Sequence, residues 1–313
     1  MDDLFPRATT PSDVFLTADA RAAGYGPRAI ARQVRSGEWH PLRRGAYTTR
    51  ETWQAADATA RHILLAQAVQ LQALEPIALT HLTGAIALGL ETWRPDLATV
   101  HVTSLGGQSG RIEYGVNRHE GPLAPEECAR VNGLLVGPPA HVIAGAMLLS
   151  SHDQAMVLGD SALNRGVTTA AALSEIADGW WNVPGSRALR WTIPRLDGRA
   201  ANGGETLARG CLRRANLTPS ELQYEIRDGS FVAYSDFAWP EHRVLGEFDG
   251  KRKYQRDLRP REDPGEAVFR EKVREDRLRS LGWVVVRIIW ADLFAFAPVA
   301  ERFRRALRGS LVA

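Results

Sequence analysis

The fold of the N-terminal region is decided by residues 27–47, which read PRAIARQVRSGEWHPLRRGAY. Pro27 suits the first turn of a helix and Gly37 suits its end, so the pattern predicts a helix over residues 28–36. With 3.6 residues per turn, the helix has an apolar face and a basic face. The apolar face carries Ile30 and Val34, and the opposite face carries Arg28, Arg32 and Arg35.

Two further elements flank this helix. Residues 13–24 are typical of a short helix, and residues 39–47 are typical of a short hairpin that carries Arg43 and Arg44. Helix, turn, basic helix and basic hairpin is the order of a winged helix-turn-helix. We therefore predict that residues 1–50 form a DNA-binding winged helix-turn-helix domain. The alternative is a solvated cationic helix on a small helical domain.

The basic residues of the chain are clustered. The whole sequence holds 39 Lys and Arg against 36 Asp and Glu, for a net charge of +3, but residues 21–50 hold seven arginines and a single acid, Glu38. A local excess of this kind suits the phosphate backbone of a nucleic acid. We therefore expect double-stranded DNA to be the partner of this region.

Composition argues against several other classes of protein. No stretch approaches the roughly 18 uncharged apolar residues of a membrane helix, and the first residues are acidic, so neither a membrane span nor a secretory signal is expected. The two cysteines, Cys128 and Cys211, lie far apart without a Cys-x-x-Cys pattern, which disfavours a disulfide scaffold and a cysteine-built zinc site. A cytoplasmic location fits best.

Residues 51–198 are predicted to be a mixed helical middle region, helical over 52–90 and 139–178. Between these helical stretches we predict a hairpin near 99–118, with a glycine-rich turn at 106–110 that lacks the Lys-Ser/Thr of a phosphate-binding loop. The two predicted strands of this hairpin are 99–103 and 111–118. The eight histidines are scattered without ligand spacing, so a histidine-built metal centre is not expected.

Residues 199–313 are predicted to form a separate domain, in the order helix, strand, strand, charged loop, helix, strand, helix. In the second strand, the two-residue period places Glu247 and Asp249 on one face of the sheet. Asp236 comes from the adjoining strand and Glu205 from a neighbouring helix. Four acids are therefore expected to converge.

Four acids on a partly apolar sheet would repel one another unless a cation neutralises them. Mg²⁺ or Mn²⁺ takes oxygen ligands and keeps bound water, which suits phosphodiester hydrolysis. We predict a metal site with Asp236, Glu247 and Glu205 as ligands. Asp249 would be a further ligand or orienter, and Lys251 would hold the attacking water or the scissile phosphate. The alternative is an acidic sheet edge that pairs with its own basic neighbours.

Arg274 is predicted to share a helix face with Leu278. A guanidinium group on an apolar face is costly unless it meets an acid or a phosphate. The residues predicted to contact DNA are Arg28, Arg32, Arg35, Arg43, Arg44, Lys253 and Arg274.

Three motifs within residues 205–293 carry a resemblance to a known family: Asp236-Phe237-Ala238-Trp239-Pro240, Glu247-x-Asp249-Gly250, and Glu271-x-x-Arg274-x-x-x-Leu278-x-x-x-Gly282-Trp283-x-Val285-x-Arg287. They resemble the PD-(D/E)xK nuclease superfamily, in the branch similar to very-short-patch-repair endonucleases. The resemblance implies a restriction-endonuclease-like α/β mixed sheet flanked by helices, and it implies that the predicted acids are catalytic. Asp249 stands where the superfamily has its lysine, so Lys251 and Lys253 are the candidates for that role.

A second set of motifs lies in residues 15–49: Leu16-Thr17, Ala22-Ala23-Gly24, Ile30-x-x-x-Val34-x-Ser36-Gly37-x-Trp39, and Leu42-x-Arg44-Gly45-x-Tyr47. They resemble the N-terminal winged helix of AbiEi-family type IV antitoxins. This resemblance implies a repressor that regulates its own operon and neutralises a nucleotidyltransferase toxin.

Together these patterns predict an α+β multidomain protein with two open functions. One is a DNA-binding protein with a Mg²⁺-dependent endonuclease domain. The other is an AbiEi-like antitoxin and repressor of a toxin–antitoxin operon, in which the nuclease-like domain is non-catalytic.

Overall fold

The computed structural model describes residues 13–105, 110–121, 123–250 and 264–309. The chain divides into two compact units, one ending at Leu196 and the other beginning at Asp197. Each unit has apolar cores of its own. Within the described residues, no helix combines the length and the apolar character that crossing a membrane requires.

The first unit begins with two short helices and a small antiparallel sheet of strand order β1-β3-β2. Its elements are β1 (Phe15–Leu16), α1 (Thr17–Ala22), α2 (Pro27–Arg35), β2 (Trp39–Arg43) and β3 (Ala46–Thr49). The core of this region is formed by Phe15, Ala20, Ile30 and Trp39. The rings of Phe15 and Trp39 meet edge to face, with centroids 4.8 Å apart, so the aromatic contact joins β1 to β2.

Helix α2 forms where the sequence predicts a helix. Pro27 begins it, and Gly37 follows its end with a φ of +75°, a conformation that favours glycine. The predicted helix over 13–24 is wrong in its first part. Phe15 and Leu16 are extended and pair with β3, which buries the Phe15 ring completely in the aromatic core. Tertiary packing thus overrides the local helical pattern.

The remainder of the first unit contains a six-stranded mixed sheet of strand order β6-β7-β5-β4-β9-β8, packed with helices. Its elements are α3 (Arg50–Ala55), α4 (Ala58–Gln72), β4 (Ile77–Leu79), α5 (His81–Ala87), β5 (Val100–Ser104), β6 (Arg111–Glu113), β7 (Val116–His119), β8 (Ala129–Val131), β9 (Leu134–Val136), α6 (Pro139–Leu148), α7 (His152–Asn164), α8 (Ala170–Gly179) and α9 (Ser186–Thr192). The sequence predicted mainly helix here, so the extent of the sheet is a correction.

The predicted hairpin near 99–118 is also wrong in its pairing. Strand β5 pairs with β7 in parallel, and β7 pairs with β6 in antiparallel fashion. The hairpin is β6–β7, and its turn consists of Tyr114 (φ +48°) and Gly115 (φ +77°). Two consecutive residues with positive φ are typical of the type I′ turns that close two-residue hairpins. The predicted turn at 106–110 lies mostly outside the described residues.

The second unit is a four-stranded mixed sheet with helices on both faces. Its elements are α10 (Gly203–Arg214), β10 (Glu221–Asp228), β11 (Phe231–Trp239), β12 (Val244–Asp249), α11 (Pro264–Ser280), β13 (Val284–Ile289) and α12 (Ala297–Gly309). The strand order is β10-β11-β12-β13, antiparallel except for the parallel pair β12–β13. Strand β10 is absent from the predicted order of elements.

Burial shows how the layers of this unit are arranged. Phe237 and Phe248 pack with α10 and α12 on one side of the sheet. Ala238 and Leu245 pack with Leu278 of α11 on the other side. The predicted α+β character is therefore present in both units, whereas the more specific restriction-endonuclease-like topology stays a prediction.

Candidate nucleic-acid interface and carboxylate region

Helix α2 presents its arginines to solvent. Ile30 on its inner face is 6% exposed, and Val34 is half-buried against the aromatic core. The three arginines predicted on the outer face, Arg28, Arg32 and Arg35, are all exposed. The helix therefore has the two faces that its 3.6-residue pattern indicates.

The hairpin β2–β3 brings a second pair of arginines next to this helix. Arg44 is exposed and Arg43 is half-buried. The turn is anchored from two sides, because Gln72 Nε2 donates to Arg44 O at 2.8 Å and Thr17 Oγ1 donates to Gly45 O at 3.3 Å. A cleft of about 560 Å³ separates α2 from the hairpin, and Arg21, Arg35, Arg43 and Arg44 are among its lining residues.

These basic side chains lack acidic partners. Within the described part of the chain, none of the five arginines predicted here to bind DNA forms a salt bridge: Arg28, Arg32, Arg35, Arg43 and Arg44. Glu38 is the single acid of residues 21–50, and its Oε1 lies 3.6 Å from Nη1 of Arg50 instead. Burial lowers the pKa of Arg43, and the nearby guanidinium of Arg118 lowers it further. The surface therefore carries positive charge that no acid of the described residues neutralises.

In the second unit, by contrast, many arginines form salt bridges with acidic side chains. The pairs include Arg199 with Asp197, Arg227 with Glu225, Arg274 with Glu247, Arg277 with Asp228, Arg287 with Glu275, and Arg302 with Asp292. Paired arginines are thus common among the described residues of the second unit, whereas the five arginines of α2 and the hairpin form no described salt bridge.

Glu205 lies in the first turn of α10 and is 2% exposed. Asn202 caps the helix, because its Oδ1 accepts from Glu205 N at 3.1 Å while its Nδ2 donates to Glu205 Oε1 at 2.6 Å. The other carboxylate oxygen accepts from Ala201 N at 2.8 Å. This reciprocal arrangement is a capping interaction and accounts for an acid at this position.

Gln223 joins Glu205 to Asp236. Its Nε2 donates to Glu205 Oε2 at 3.1 Å and to Asp236 Oδ1 at 3.3 Å. The backbone of Gln223 is left-handed, with a φ of +49°, which is uncommon for a residue with a side chain. Asp236 Oδ2 accepts from Phe248 N at 2.8 Å. The structure thus brings two of the predicted acids together, through a glutamine that the sequence analysis did not identify.

Glu247 belongs to a different network. Its Oε1 accepts from Arg274 Nη2 of α11 at 2.7 Å, and the same nitrogen donates to Tyr234 O at 2.6 Å. The side chains of Glu247 and Arg274 are 13% and 24% exposed. Arg274 therefore meets an acid, one of the two partners that its position predicts. Asp249 is the last residue of β12 and is half-buried.

The three predicted metal ligands, Glu205, Asp236 and Glu247, make different contacts. Within the described ranges, no three His, Cys, Asp or Glu side chains are grouped so that they could hold a metal. Glu205 and Asp236 share the donor Gln223, whereas Glu247 is neutralised from α11. That Glu205, Asp236 and Glu247 together bind one metal ion stays a prediction. Lys251 and Lys253 lie outside the described residues, and hydrolysis assisted by Mg²⁺ stays a prediction.

A cluster of three histidines, with His81 buried and His101 and His119 half-buried, is the feature that sequence reasoning missed. His101 Nδ1 lies 2.8 Å from His119 Nε2, and the His119 ring stacks on His81 with centroids 3.5 Å apart. Burial, followed by the neighbouring histidines, lowers the pKa of His81 to about 2. Burial lowers the pKa of His101 and His119 to about 4 each, assisted by His62 and by His101 respectively. The three imidazoles are therefore neutral at physiological pH.

Comparison with known proteins bears on the N-terminal region. Residues 11–49 match the model of a family described as a transcriptional regulator, AbiEi antitoxin. This match supports a DNA-binding regulator for that part of the chain.

Two uncharacterised proteins from two strains of Mycobacterium tuberculosis are each 31% identical to this chain over 168 residues. The aligned stretch covers 52% of this chain and 58% of each relative. The chain therefore spans little more than half the length of the curated relatives that it matches.

Proposed function

We propose that this protein is a DNA-binding transcriptional regulator of the antitoxin type, with residues 13–49 as a winged helix-turn-helix. The family match over residues 11–49 supports the proposal. The order of the elements also supports it: helix α1, helix α2 and then the hairpin β2–β3.

The single observation that carries the proposal is the set of arginines on α2 and the hairpin that have no acidic partner among the described residues. Exposed guanidinium groups without acidic partners are suited to phosphate oxygens, which they bind in charge-assisted and often bidentate hydrogen bonds. Such contacts supply the sequence-independent part of DNA affinity and set the position of the protein on the duplex.

The geometry favours a particular mode of binding. A helix fits the major groove of B-DNA, and the outer face of α2 offers Arg28, Arg32 and Arg35 to it. The hairpin, with Arg43 and Arg44, would then lie along the sugar-phosphate backbone next to the groove. The anchoring of the hairpin turn by Gln72 and Thr17 fixes its position relative to the helices.

A salt-dependent binding assay tests this function. The wild-type chain and Arg32→Ala are titrated onto a short duplex from the region upstream of its own gene, and onto a duplex of scrambled sequence, at several salt concentrations. The logarithm of the binding constant falls linearly with the logarithm of the salt concentration. Loss of one phosphate contact should make this line shallower, by about one unit of slope. Arg227→Ala is the matched control, because that exposed arginine pairs with Glu225 in the second unit.

Two results would contradict the proposal. One is the absence of binding to any duplex at low salt. The other is an Arg32→Ala slope equal to that of the wild type and of Arg227→Ala.

The family description also motivates a partner. We infer that the protein neutralises a cognate toxin, and the resemblance to type IV antitoxins makes a nucleotidyltransferase the expected class. Co-expression with a neighbouring nucleotidyltransferase gene should restore growth. Arg32→Ala should keep this rescue while weakening repression, because Arg32 is proposed here as a contact to DNA. Failure of the wild-type chain to rescue growth would remove the toxin partner and leave the DNA-binding proposal in place.

A further inference from the structure

A second cavity lies next to strand β2, where that strand meets helices α3 and α4. Its volume is about 300 Å³, which is at the lower end of the range for small-molecule sites. Leu42, Leu65 and Leu97 form an apolar part of its wall, and His40 and Arg61 form a polar part. The cavity therefore offers both an apolar surface and hydrogen-bonding groups.

Trp53 holds the two polar groups in place. The His40 ring stacks on the Trp53 indole with centroids 3.8 Å apart. Arg61 Cζ lies 4.6 Å from the centre of the indole, and Arg61 Nε donates to Trp53 O at 3.2 Å. A cation–π contact and a hydrogen bond thus orient the guanidinium. A side chain that is already fixed loses less entropy when a ligand binds.

The remaining polar atoms of Arg61 and His40 are available to a ligand. Among the described residues, Arg61 forms no salt bridge and neither of its Nη atoms has a hydrogen-bond partner, and the same holds for the ring nitrogens of His40. His62 also lines the cavity, but its Nδ1 lies 3.1 Å from Leu97 O and its Nε2 lies 2.9 Å from Thr83 Oγ1. The ring of His62 is therefore already engaged.

The protonation of His40 suits a hydrogen bond to an anion. Burial lowers the pKa of His40, and the charge of Arg61 lowers it further. The imidazole is therefore neutral at physiological pH and offers one N–H donor. A carboxylate can accept from this donor and, in a bidentate pair, from a guanidinium.

A half-buried guanidinium that has no acid beside it favours an anionic partner, because part of its hydration is lost. We propose that this cavity binds a small carboxylate that carries an apolar ring. Its carboxylate pairs with Arg61 and accepts from His40. Its ring lies against Leu42, Leu65 and Leu97.

This site is independent of the proposed contacts to DNA. Pro41 of β2 lines both this cavity and the cleft between α2 and the hairpin, so the two sites share a strand. The arginines that we propose as DNA contacts are not among the described residues that line the cavity. Its test needs no DNA, and a negative result leaves the DNA-binding function untouched.

Three probes separate the contributions of charge and ring in isothermal titration calorimetry of the wild-type chain. Naphthoate has both a carboxylate and an apolar ring, naphthamide has the same ring without the charge, and acetate has the charge without the ring. We expect saturable binding of naphthoate and binding weaker by about tenfold or more for each of the other two.

Two variants and one matched control locate the site. Arg61→Ala removes the anion partner. Ala58→Phe fills the cavity from an exposed position on its lining and leaves the contact of Arg61 with Trp53 in place. Both should weaken naphthoate binding by about tenfold. Ala60→Phe is the control, since it introduces the same ring in the same turn of α4 at an exposed position outside the lining, and it should bind as the wild type does.

A measurement on the wild-type chain alone removes any dependence on folding of the variants. Modification of arginines by phenylglyoxal, read by mass spectrometry, should be reduced by naphthoate at Arg61 and unchanged at Arg28, which is exposed on α2. Absence of saturable naphthoate binding would overturn the proposal, as would equally tight binding of naphthamide. Wild-type affinity in Arg61→Ala or in Ala58→Phe, or absence of protection at Arg61, would also overturn it.

Discussion

Arg274 of α11 donates a hydrogen bond of 2.7 Å to Glu247 of β12, so an arginine predicted to bind DNA neutralises an acid predicted to bind metal. The pair is largely buried, with Glu247 13% and Arg274 24% exposed. Arg274 also donates to Tyr234 O on β11. One side chain therefore connects the helix on this face to two neighbouring strands.

Arg274→Ala should lower the free energy of unfolding by about 1–3 kcal/mol, since it leaves Glu247 charged and partly desolvated. Urea denaturation followed by tryptophan fluorescence measures the change. Arg279→Ala is the control on the same helix. Its side chain is 61% exposed and it pairs with Glu275 and Asp276, so its loss should cost about 0–1 kcal/mol. An equal decrease in the free energy of unfolding for the two variants would show that the Arg274–Glu247 pair stabilises the fold no more than an exposed ion pair does.

Two glycines of α10 should respond in opposite ways to the same substitution. A Cβ at Gly204 would overlap the ring of Phe248, which is 2% exposed and cannot move away easily. Gly204→Ala should therefore lower the free energy of unfolding by about 1–3 kcal/mol. A Cβ at Gly210 meets nothing closer than Arg214 Nη1 at 3.5 Å, so Gly210→Ala should raise it by about 0.5–1 kcal/mol. Destabilisation by both substitutions would contradict the close packing of Gly204 on Phe248.

Local signals in the sequence were sufficient for the basic helix. Pro27 and Gly37 mark its ends, and the arginine spacing predicts its exposed face, so neither depends on distant parts of the chain. The Asn132-Gly133 dipeptide is an equally local signal, typical of a two-residue hairpin turn. Both residues have positive φ, and they close the hairpin β8–β9.

Contacts between distant residues could not be predicted in the same way. The parallel pairing of β5 with β7 leaves no turn signal, which is why the hairpin was assigned to the wrong strands. In the carboxylate region, the sequence identifies the acidic residues but does not predict which side chains they contact. Gln223, which joins Glu205 to Asp236, has a left-handed backbone, a conformation that the residues around it in the sequence do not indicate.

The histidine cluster should make the stability of the protein depend on pH. In the unfolded chain His81, His101 and His119 titrate near 6.5, whereas in the folded protein their pKa values are about 2, 4 and 4. Between pH 6.5 and 4 the unfolded chain thus binds more protons. The contribution of these histidines to the free energy of unfolding is fully present above pH 6.5 and is lost as the pH falls from 6.5 to 4. For each histidine that is protonated in the unfolded chain but not in the folded protein, the free energy of unfolding falls by about 1.4 kcal/mol per pH unit.

Urea denaturation at a series of pH values from about 7 to about 5 measures this slope, above the range in which most carboxylates titrate. His119→Gln removes both the stacked ring on His81 and the contact with His101, so its slope should be smaller than that of the wild type. His242→Gln is the control, because His242 lies in the second unit and is not part of the cluster. A stability independent of pH in this range would show that the cluster is not buried in its neutral form.

The contacts of the acids also lead to an expectation for DNA cleavage. Glu247 is neutralised by Arg274, and Asp236 accepts hydrogen bonds from Phe248 N and Gln223. We expect supercoiled plasmid to stay intact when it is incubated with the wild-type chain and Mg²⁺ or Mn²⁺, because Arg274 already neutralises Glu247, one of the three predicted oxygen ligands. Agarose gels resolve nicked from supercoiled plasmid.

Two variants, Asp236→Ala and its control Asp228→Ala, distinguish cleavage by this site from cleavage by a contaminant. Asp228 pairs with Arg277 at the end of β10, so its loss leaves Asp236 and Glu205 in place. Nicking by the wild type and by Asp228→Ala, but not by Asp236→Ala, would contradict our expectation and establish the nuclease hypothesis. Equal nicking by all three proteins would identify a contaminating enzyme. Retention of DNA by Asp236→Ala is expected in every case, because the arginines of α2 and the hairpin belong to the other unit.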